Sequence, residues 1–356
     1  MLAALSARPA DLVWFGTYTG AESKGIYVAR FDSKTGRLSP PTLAAESPNP
    51  SFLAVHPNGR FLYAVAETDS GMVRAFAIDS SSGRLAILNQ VSARGSGPCH
   101  LTVDPSGKNV LVANYGSGSI AVLPVAADGR LREASAFIQH SGSSVNQERQ
   151  QGPHAHWIGT SPDNRFVLAV DLGLDRVLVY RFDPDAGSLT PNQPPYTQVH
   201  AGAGPRHFAF DHAGHFAYVL NELDSSITSF YWDGTRGVLT ETATVSTLPK
   251  DFKGSSSGAE LSAAGEWLYA SNRGHDSIAV FATGRGAPSV AAHVSTRGKI
   301  PRGFALSPDG RWLLAANQKS DSVVVFRVHA GTLIPTGGPV RVPSPVNVQF
   351  ARPSER

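Results

Sequence analysis

Titratable side chains occur at one fixed place in a pattern that recurs along this 356-residue chain. Each copy has an apolar run followed by a turn, and the copies align on the turn positions Pro57, Pro105, Pro162, His212, Ala263 and Pro308. Six positions before the turn, the copies carry Ser51, Cys99, His156, Arg206, Ser257 and Arg302. The next position carries Phe52, His100, Trp157, His207, Gly258 and Gly303. An apolar residue would serve a purely structural role at either place, so the His and Arg residues are candidates for a functional site.

A second recurrent place lies nine and ten positions after the turn. It carries the pairs Ala66-Glu67, Asn114-Tyr115, Asp171-Leu172, Asn221-Glu222, Asn272-Arg273 and Asn317-Gln318. Asn and Asp bond to neighbouring backbone groups where strands end, so turn chemistry accounts for the first residue of each pair. The second residue has no such uniform requirement. Glu67, Glu222 and Arg273 are therefore the stronger functional candidates.

These residue types suit proton transfer on an anionic ligand. Arg guanidiniums bind carboxylate or phosphate through forked, charge-assisted hydrogen bonds, and His and Glu side chains transfer protons near neutral pH. If both recurrent places lie on one face of the fold, His156, Arg206, Glu222, Arg273 and Arg302 converge. The alternative is a purely structural ion pair in which Arg206 and Glu222 tie neighbouring repeats together.

Two loops add weaker candidates. The polar insertion QHSGSSVNQERQQG, which starts at Gln139, is longer than the other connections. It is expected either to cover a binding face or simply to be exposed to solvent. Tyr18 and Thr19, in the segment GTYTG, lie where the repeat pattern should close on itself.

The elements that must position these side chains are short antiparallel strands. The unit NPSFLAVHPNGRFLYAVAE, which starts at Asn49, has two alternating apolar runs around a Pro-Asn-Gly turn, and this pattern is typical of a β-hairpin. A third apolar run follows, usually closed by Gly-x-Leu, and residues beyond it, such as 41–46 and 240–246, supply a short outer strand. Four strands repeated about every 50 residues are the signature of a β-propeller blade.

The two chain ends complete the ring of blades. Six full units lie between Pro50 and Leu333. The piece from Leu12 has the later strands of a blade and the piece from Ser344 has the missing inner strand, so together they form a seventh blade that leaves no exposed sheet edge. We therefore predict an all-β fold, a seven-bladed β-propeller with four antiparallel strands per blade. Residues 11–356 form this single domain, and residues 1–10 are a tail outside it.

Composition narrows the class of protein. The 35 Gly and 25 Pro with only 17% charged residues favour many strands joined by turns over long helices or disorder. A net charge of +3 without a dense Lys/Arg run argues against nucleic acid as a partner. No apolar stretch approaches the roughly 18 residues that span a bilayer, so no membrane partner is expected. The single Cys99 rules out an internal disulfide.

Neither a cofactor nor a metal is predicted. His154 and His156 lie two residues apart and could ligate a metal from one face of a strand, but no further ligands of recognised spacing accompany them. The segment GSSSG at 254–258 lacks the strand-to-helix setting of a nucleophile elbow. No phosphate-cradling Gly loop precedes a helix, which argues against a nucleotide.

Several segments together resemble the lactonase family of seven-bladed propellers, which includes bacterial 6-phosphogluconolactonase and fungal carboxy-cis,cis-muconate cyclase. These segments are NPSFLAVHPNGRFLYAV, GSSVN…RQQGPHAH, GAGPRHFAF…YVLNELDS and LYASNRGHDSIAVF, and the similarity spans roughly residues 13–350. The resemblance implies a shared site of one His, two Arg and one Glu. By motif these fall on His156 before SPDN, Arg206 in GPRH, Glu222 in NEL and Arg273 in SNRGHDS, with His154 as the alternative histidine.

The resemblance also implies a function. We expect a lactonase that hydrolyses a sugar lactone, with 6-phosphogluconolactone as the substrate. Arg206 and Arg273 would hold anionic groups and polarise the lactone carbonyl, while His156 or Glu222 would activate water. Further substrate contacts are expected from His154, His207, Arg302, Glu67 and His100. Two alternatives stay open: a lactonising cycloisomerase acting on a muconate-type diacid, and a propeller that serves only as a binding platform.

The expected partner is a small anionic sugar lactone, and the protein is expected to be a monomer or a weak homodimer. A phosphorylated sugar lactone is a cytoplasmic metabolite, so the cytoplasm is the expected compartment. The alternative is a periplasmic protein acting on another sugar lactone, because the short apolar run at residues 2–7 fits the remnant of an export signal, although it lacks a basic n-region.

Overall fold

The computed structural model describes residues 11–284 and 286–351. Its strands form seven separate sheets, each the blade of a propeller, so the predicted all-β, seven-bladed fold is confirmed. Within the described residues the helical structure is the 3-10 turn Gln318–Ser320, and no helix there is long and apolar enough to cross a bilayer. The expected tail, residues 1–10, lies outside the described part of the chain.

The blades follow one another along the chain, and we number them from the first complete one. The chain begins in blade 7 with β1 (Asp11–Thr17), β2 (Gly25–Asp32), β3 (Arg37–Leu38) and β4 (Thr42–Glu46). Blade 1 has β5 (Leu53–Val55), β6 (Phe61–Ala66), β7 (Met72–Ile78) and β8 (Leu85–Ser92). Blade 2 has β9 (Pro98–Val103), β10 (Asn109–Asn114), β11 (Ser119–Pro124) and β12 (Ala136–Gln139). Blade 3 has β13 (Ala155–Thr160), β14 (Phe166–Asp171), β15 (Arg176–Asp183) and β16 (Ser188–Gln198).

The second half of the ring repeats this order. Blade 4 has β17 (Pro205–Phe210), β18 (Phe216–Asn221), β19 (Ser226–Asp233) and β20 (Val238–Ser246). Blade 5 has β21 (Ser257–Ala264), β22 (Trp267–Arg273), β23 (Ser277–Ala282) and β24 (Ser289–Ser295). Blade 6 has β25 (Pro301–Leu306), β26 (Trp312–Asn317), β27 (Ser322–His329) and β28 (Thr332–Arg341). The last strand, β29 (Pro345–Phe350), returns to blade 7.

Turn residues and apolar runs explain the inner hairpin of a blade. Gly59 and Gly310 end the Pro-Asn-Gly and Pro-Asp-Gly turns with φ angles of +70° and +69°, which glycine adopts readily because it has no Cβ. The second strands that follow, such as Phe61–Ala66 and Trp312–Asn317, are buried along their whole length. Continuous apolar runs are expected for strands covered on both faces, here by the two neighbouring blades.

The hydrophobic core lies between neighbouring blades. One cluster joins Tyr63 of blade 1 to Leu101 of blade 2, and another joins Phe166 of blade 3 to Phe230 of blade 4. Each blade is therefore stabilised largely by its neighbours, and every face is buried only if the ring closes.

Blade 7 closes the ring with both chain ends. Strand β29 pairs antiparallel with β1, so that Val13 lies opposite Phe350. The inner strands contact one another in a closed cycle from β5 through β9, β13, β17, β21, β25 and β29 back to β5. The prediction that the two terminal pieces complete a seventh blade is confirmed. This blade has a fifth strand, because β3 and β4 both pair with β2.

The inner hairpin of blade 5 is shorter than the sequence alignment assumes. Ala263 pairs with Leu268, and four residues, 264–267, separate them. The corresponding pair in blade 4 is Phe210 with Ala217, separated by the six residues 211–216. The blade 5 connection is therefore two residues shorter than its counterpart.

This shorter hairpin changes which blade 5 residues line the channel. Counting back from the turn in the sequence puts Ser257 and Gly258 at the second and third positions of the inner-strand pattern, which is wrong because the count assumes a full-length turn. Gly258 pairs with Asn272, just as the first inner-strand residue of blades 2, 3, 4 and 6 pairs with the Asn or Asp that ends the second strand. Ala259 and Glu260 therefore occupy the second and third positions.

Candidate functional site

Both recurrent places of the sequence lie on one face of the propeller. In blade 4 Pro205 pairs with Asn221, and in blade 6 Pro301 pairs with Asn317. The start of each inner strand therefore lies beside the end of the second strand, because the two strands are antiparallel. The condition on which the predicted convergence of side chains depends is met.

The strand registers arrange the channel-lining positions of the seven blades in three rings. The rim ring, at the C-terminal ends of the second strands, contains Tyr18, Glu67, Tyr115, Leu172, Glu222, Arg273 and Gln318. The upper ring, below it, contains Ser51, Cys99, His156, Arg206, Ala259, Arg302 and Val346. The lower ring is one residue deeper and contains Phe52, His100, Trp157, His207, Glu260, Gly303 and Asn347.

The Asn residues that precede the rim ring bond to nearby turn and strand groups. Asn221 donates to the hydroxyls of Ser226 and Thr228, and Asn317 donates to the carbonyl of Thr296. Both amides are fully buried. These contacts agree with the interpretation of this column as turn chemistry.

Glu222 lies at the centre of a cluster of guanidiniums. Its Oε2 is 2.9 Å from Nε of Arg206 and 3.1 Å from Nη2 of Arg273. Its Oε1 accepts a hydrogen bond from Nη2 of Arg149 at 2.8 Å. The side chains of Arg206 and Glu222 are only 3% and 7% exposed. Both carboxylate oxygens are thus occupied by cations in a site with little water.

Arg206 and Arg273 also bind the backbone of the inner strand of blade 5. Arg206 donates through Nη1 to the carbonyl of Ala259, and Arg273 donates through Nη2 to the carbonyl of Gly258 at 2.9 Å. Arg206 crosses from blade 4 to reach this strand, so the cluster also joins two blades. The structural ion pair that the sequence left as an alternative is therefore present, and it lies in the ring that surrounds the channel.

The charges of this cluster hold Glu222 ionised. Burial by itself would raise the pKa of Glu222, but Arg273, Arg206 and Arg149 together lower it to about 2. Burial lowers the pKa of Arg273 to about 10, so this guanidinium keeps its charge near neutral pH. A carboxylate with so low a pKa and both oxygens engaged is a poor proton acceptor. Its position suits orienting the arginines.

Arg149 is a site residue that the sequence analysis does not single out. It belongs to the polar insertion that begins at Gln139, and its Nη2 also donates to the hydroxyl of Tyr115 at 3.1 Å. Asp175 holds the insertion in place, because its carboxylate accepts from Ser144 Oγ at 2.6 Å and from Gln150 Nε2 at 2.7 Å. The length and polarity of the insertion indicated a covering loop, whereas nothing in its sequence indicated which side chain turns inward.

A second cluster in the rim and upper rings joins blades 6, 7 and 1. Arg302 donates through Nη2 to the hydroxyl of Tyr18 at 2.8 Å. That hydroxyl is 3.0 Å from each carboxylate oxygen of Glu67, to which Ser51 also donates. Burial raises the pKa of Tyr18, so its hydroxyl remains a donor. Among the ion pairs of the described residues, none includes Arg302.

His156 lies in the upper ring with one ring nitrogen unpaired. The residue is 5% exposed, and Nδ1 has no hydrogen-bond partner among the described residues. Its ring centroid is 5.4 Å from those of Tyr115 and His207. Burial, reinforced by Arg206, holds the pKa of His156 well below its ordinary value, so the imidazole is neutral near pH 7.

His207 and Glu260 form a buried pair in the lower ring. Nδ1 of His207 is 2.7 Å from Oε1 of Glu260, which also accepts a hydrogen bond from the Leu261 amide at 3.1 Å. Burial lowers the pKa of His207 well below its ordinary value and raises that of Glu260 to about 8. Glu260 escapes the sequence analysis because of the misaligned hairpin. The signal that could have found it is the short Gly265-Glu266 turn, which lacks the Pro found at the turns of blades 1, 2, 3 and 6.

A small cavity lies among these side chains on the channel axis. It measures about 10 Å³, room for about one water molecule. Its lining comprises Ser51, Phe52, Glu67, Cys99, His156, Arg206, His207, Glu260, Arg302 and Val346. Burial raises the pKa of the Cys99 thiol. Within residues 11–284 and 286–351, no three His, Cys, Asp or Glu side chains are grouped so as to hold a metal ion.

Two of the expected contact residues do not line this cavity. His154 stacks on the ring of Tyr115 at 4.5 Å, and its Nδ1 is 2.9 Å from the Tyr115 carbonyl oxygen. His100 packs between the rings of Phe52 and Trp157, at 4.1 and 5.5 Å, and borders a separate cavity with them. His207, Arg302 and Glu67, by contrast, do line the central cavity.

The protein is thus a seven-bladed propeller with a ring of Arg, Glu and His side chains around its central channel. The family model "Lactonase, 7-bladed beta-propeller" matches residues 12–350, and the chain belongs to this family. A Bacillus subtilis (strain 168) protein named 6-phosphogluconolactonase is 39% identical over 296 residues, which cover 82% of this chain and 83% of that protein. A Formosa agariphila protein of the same name is 32% identical over 304 residues, which cover 83% of this chain and 86% of that protein.

A solved structure from Pseudomonas aeruginosa, described as a periplasmic gluconolactonase, superposes with a TM-score of 0.91 at 35% identity. The alignment covers 96% of this chain and 99% of that one. The resemblance drawn from the sequence motifs is thus confirmed at the level of the family.

Proposed function

We propose that the protein is a lactonase that hydrolyses a sugar lactone, with 6-phosphogluconolactone as its substrate. The observation that carries this proposal is the excess of cationic groups around the channel. Arg149, Arg206 and Arg273 share the single carboxylate Glu222. Arg302 makes no direct ion pair among the described residues and is linked to the Glu67 carboxylate through the Tyr18 hydroxyl, so the four guanidiniums outnumber these two carboxylates. Buried cations without matching anions are costly, and an anionic ligand would relieve that cost.

The arginines have separate roles in this proposal. Arg206 and Arg273 polarise the lactone carbonyl and stabilise the oxyanion that forms when water attacks it. Their guanidiniums are already held by Glu222 and by backbone carbonyls of blade 5, so little reorganisation is needed during the reaction. Arg302 remains available to bind the phosphate group through charge-assisted hydrogen bonds.

His156 lines the small central cavity and has the role of binding water in this proposal. It is neutral and has an unpaired Nδ1, so it can hold the attacking water. Glu222 is not suited to activating water, the role that the sequence analysis left open for it, because three guanidiniums keep its carboxylate ionised. No covalent bond between enzyme and substrate is required.

The test measures hydrolysis of freshly prepared 6-phosphogluconolactone against its spontaneous rate. We expect acceleration that is lost in Arg206→Ala, and a smaller kcat/KM for the unphosphorylated gluconolactone. Activity on the unphosphorylated lactone alone would contradict the proposed substrate. Acceleration of neither, together with ultraviolet loss of the diene from a muconate-type diacid, would replace hydrolysis by cycloisomerisation.

The proposed substrate sets the expected compartment and assembly. Because a phosphorylated sugar lactone is a cytoplasmic metabolite, we expect the native protein in the cytoplasmic fraction, as a monomer or weak homodimer. Recovery of the native protein from the periplasm would favour an unphosphorylated lactone instead, in keeping with the description of the Pseudomonas relative. Light scattering across a concentration series measures the oligomeric state.

A further inference from the structure

The central cavity has room for about one water molecule and is lined by a buried ring nitrogen that lacks a hydrogen-bond partner in the described part of the chain. Nδ1 of His156 is buried and has no hydrogen-bond partner among the described residues. An unpaired buried polar atom costs free energy unless a ligand or water satisfies it. Arg206, which carries the proposed carbonyl-polarising guanidinium, lines the same cavity. A water molecule bound here would lie beside both the histidine and this guanidinium.

The His207–Glu260 pair also borders this cavity, one layer deeper. The two side chains come from neighbouring inner strands, β17 and β21, and are 4% and 12% exposed. The charged groups that face the pair are Arg206 and Arg302, and more weakly Glu222 and Arg273. The titratable rings of His100 and His156 also pack against His207, with centroids 5.5 and 5.4 Å away. Among residues 11–284 and 286–351, no guanidinium forms an ion pair with the Glu260 carboxylate as three do with Glu222. Glu260 can therefore change its protonation state, whereas Glu222 is held as an anion.

We propose that this cavity holds the hydrolytic water, bound by His156 Nδ1, and that the His207–Glu260 pair takes up and returns the proton of that water. This inference rests on the proposed lactone hydrolysis and assigns its proton acceptor. It gives Glu260 a role in the reaction and gives Glu222 the role of orienting the arginines.

The proton balance of the step is as follows. The water oxygen bonds to the carbonyl carbon, and one water proton passes to the pair, which stores it on the Glu260 carboxylate. Collapse of the tetrahedral intermediate breaks the bond from the carbonyl carbon to the ring oxygen, and the pair returns its proton to that oxygen, which leaves as an alcohol. The new carboxylic acid releases its remaining proton to solvent. The pair ends in its starting state, and no other reactant is needed.

The raised pKa of Glu260, about 8, gives this step a defined pH dependence. The pair accepts a proton only when Glu260 is ionised. The kcat/KM of the wild type should therefore rise with pH as the pair loses its proton, through about pH 8, because kcat/KM reports ionisations of the free enzyme. The apparent value belongs to the coupled pair and to neither residue alone.

Glu260→Gln is the central variant, because the amide keeps the size and a hydrogen bond to His207 but cannot exchange a proton. We expect kcat/KM to fall by about 100-fold or more, the usual size of a lost general base, and the rise through about pH 8 to disappear. Glu266→Gln, an exposed carboxylate at the tip of the same hairpin, should leave both rate and profile unchanged. A Glu260→Gln enzyme that keeps the wild-type profile overturns the proposal, whether its rate is normal or reduced.

A measurement that does not depend on activity separates this proposal from the proposed function. Infrared spectra of the unliganded wild type near pH 7 should contain the carbonyl band of a protonated carboxylic acid, which vanishes above about pH 8 and is absent from Glu260→Gln. Normal lactone hydrolysis without that band would contradict the inference that the His207–Glu260 pair holds the proton, but not the proposed function. The band together with no hydrolysis of any lactone would overturn the proposed function and, with it, the catalytic role of the pair.

Discussion

At the rim of the channel, three guanidiniums share the carboxylate of Glu222, and this sharing explains both its ionisation and its role. Two oxygens accept contacts from Arg149, Arg206 and Arg273 at 2.8 to 3.1 Å. Removing the carboxylate would leave three cations close together with little water to screen them. The residue is thus a structural centre of the proposed site, and stability and activity should respond together when it changes.

Glu222→Gln should therefore destabilise the protein as well as inactivate it. Breaking a buried charge pair by removing one partner typically costs about 3–5 kcal/mol of unfolding free energy. We expect a loss near the lower end, with kcat/KM reduced by about 100-fold because the arginines lose their orientation. Chemical denaturation and lactone assays measure the two effects. Glu133→Gln, at an exposed site, is the matched control, and an equally stable Glu222→Gln protein would contradict the pairing.

Arg302 should decide between phosphorylated and unphosphorylated substrates. Hydrogen bonds to charged groups contribute about 1.5–3 kcal/mol each, so Arg302→Met should lower kcat/KM for the phosphorylated lactone by about 10- to 100-fold. The unphosphorylated lactone should lose much less, since it has no group for this guanidinium.

The control for this comparison is Arg327→Met, an exposed arginine of the same blade. Equal losses for both lactones in Arg302→Met would show that the guanidinium does not bind the phosphate.

At the scale of elements, the insertion between blades 2 and 3 depends on one buried aspartate. Besides its bonds to Ser144 and Gln150, Asp175 accepts from the amides of Gly202 and Gly204, both at 2.7 Å. It therefore ties the insertion to the connection that leads into blade 4. These bonds help to hold the insertion in the position from which Arg149 reaches Glu222.

Asp175→Asn should loosen the insertion without unfolding the blades. We expect faster amide hydrogen exchange at residues 139–152 and a kcat/KM lower by about tenfold, because Arg149 no longer stays on Glu222. Asp185→Asn, whose side chain is 78% exposed in the same blade, should change neither.

Arg149→Met separates the two effects of that change. It should reproduce the loss of activity while the insertion keeps its wild-type exchange rate. If Arg149→Met were fully active, the insertion would have no part in the proposed site.

At the scale of the whole molecule, stability depends on closure of the ring. Phe350, in the last inner strand, is buried and packs edge to face against Phe31 at 5.6 Å. It belongs to a core cluster that also contains Trp312 of blade 6. A cavity at this place weakens the interfaces on which neighbouring blades rely.

Phe350→Ala should lower the free energy of unfolding by about 3–5 kcal/mol, as for other buried aromatic residues replaced by Ala. The transition should remain single, since no blade keeps its buried faces once the ring opens. Ile87→Ala, at a residue that is 56% exposed, should have an effect within about 0.5 kcal/mol. A separate early transition in Phe350→Ala would show that blade 7 unfolds independently.

The four-stranded repeat, the number of blades and the closure by both chain ends could be predicted from the sequence. These features follow from local signals: alternating apolar runs, Pro-Asp/Asn-Gly turns and a constant period. The sequence also predicts that His156, Arg206, Glu222, Arg273 and Arg302 converge if strand starts and second-strand ends share one face, and antiparallel pairing meets that condition.

Two contacts of the site could not be predicted from the sequence and are seen only in the folded structure. Glu260 lies beside His207 because a turn in blade 5 is two residues shorter than its counterpart in blade 4, a difference that counting along a repeat conceals. Arg149 reaches Glu222 through an insertion whose course is set by Asp175, which lies in another segment of the chain. Contacts between blades depend on turn lengths and on the positions of the connecting loops. The repeat pattern, by contrast, describes only the strands within each blade.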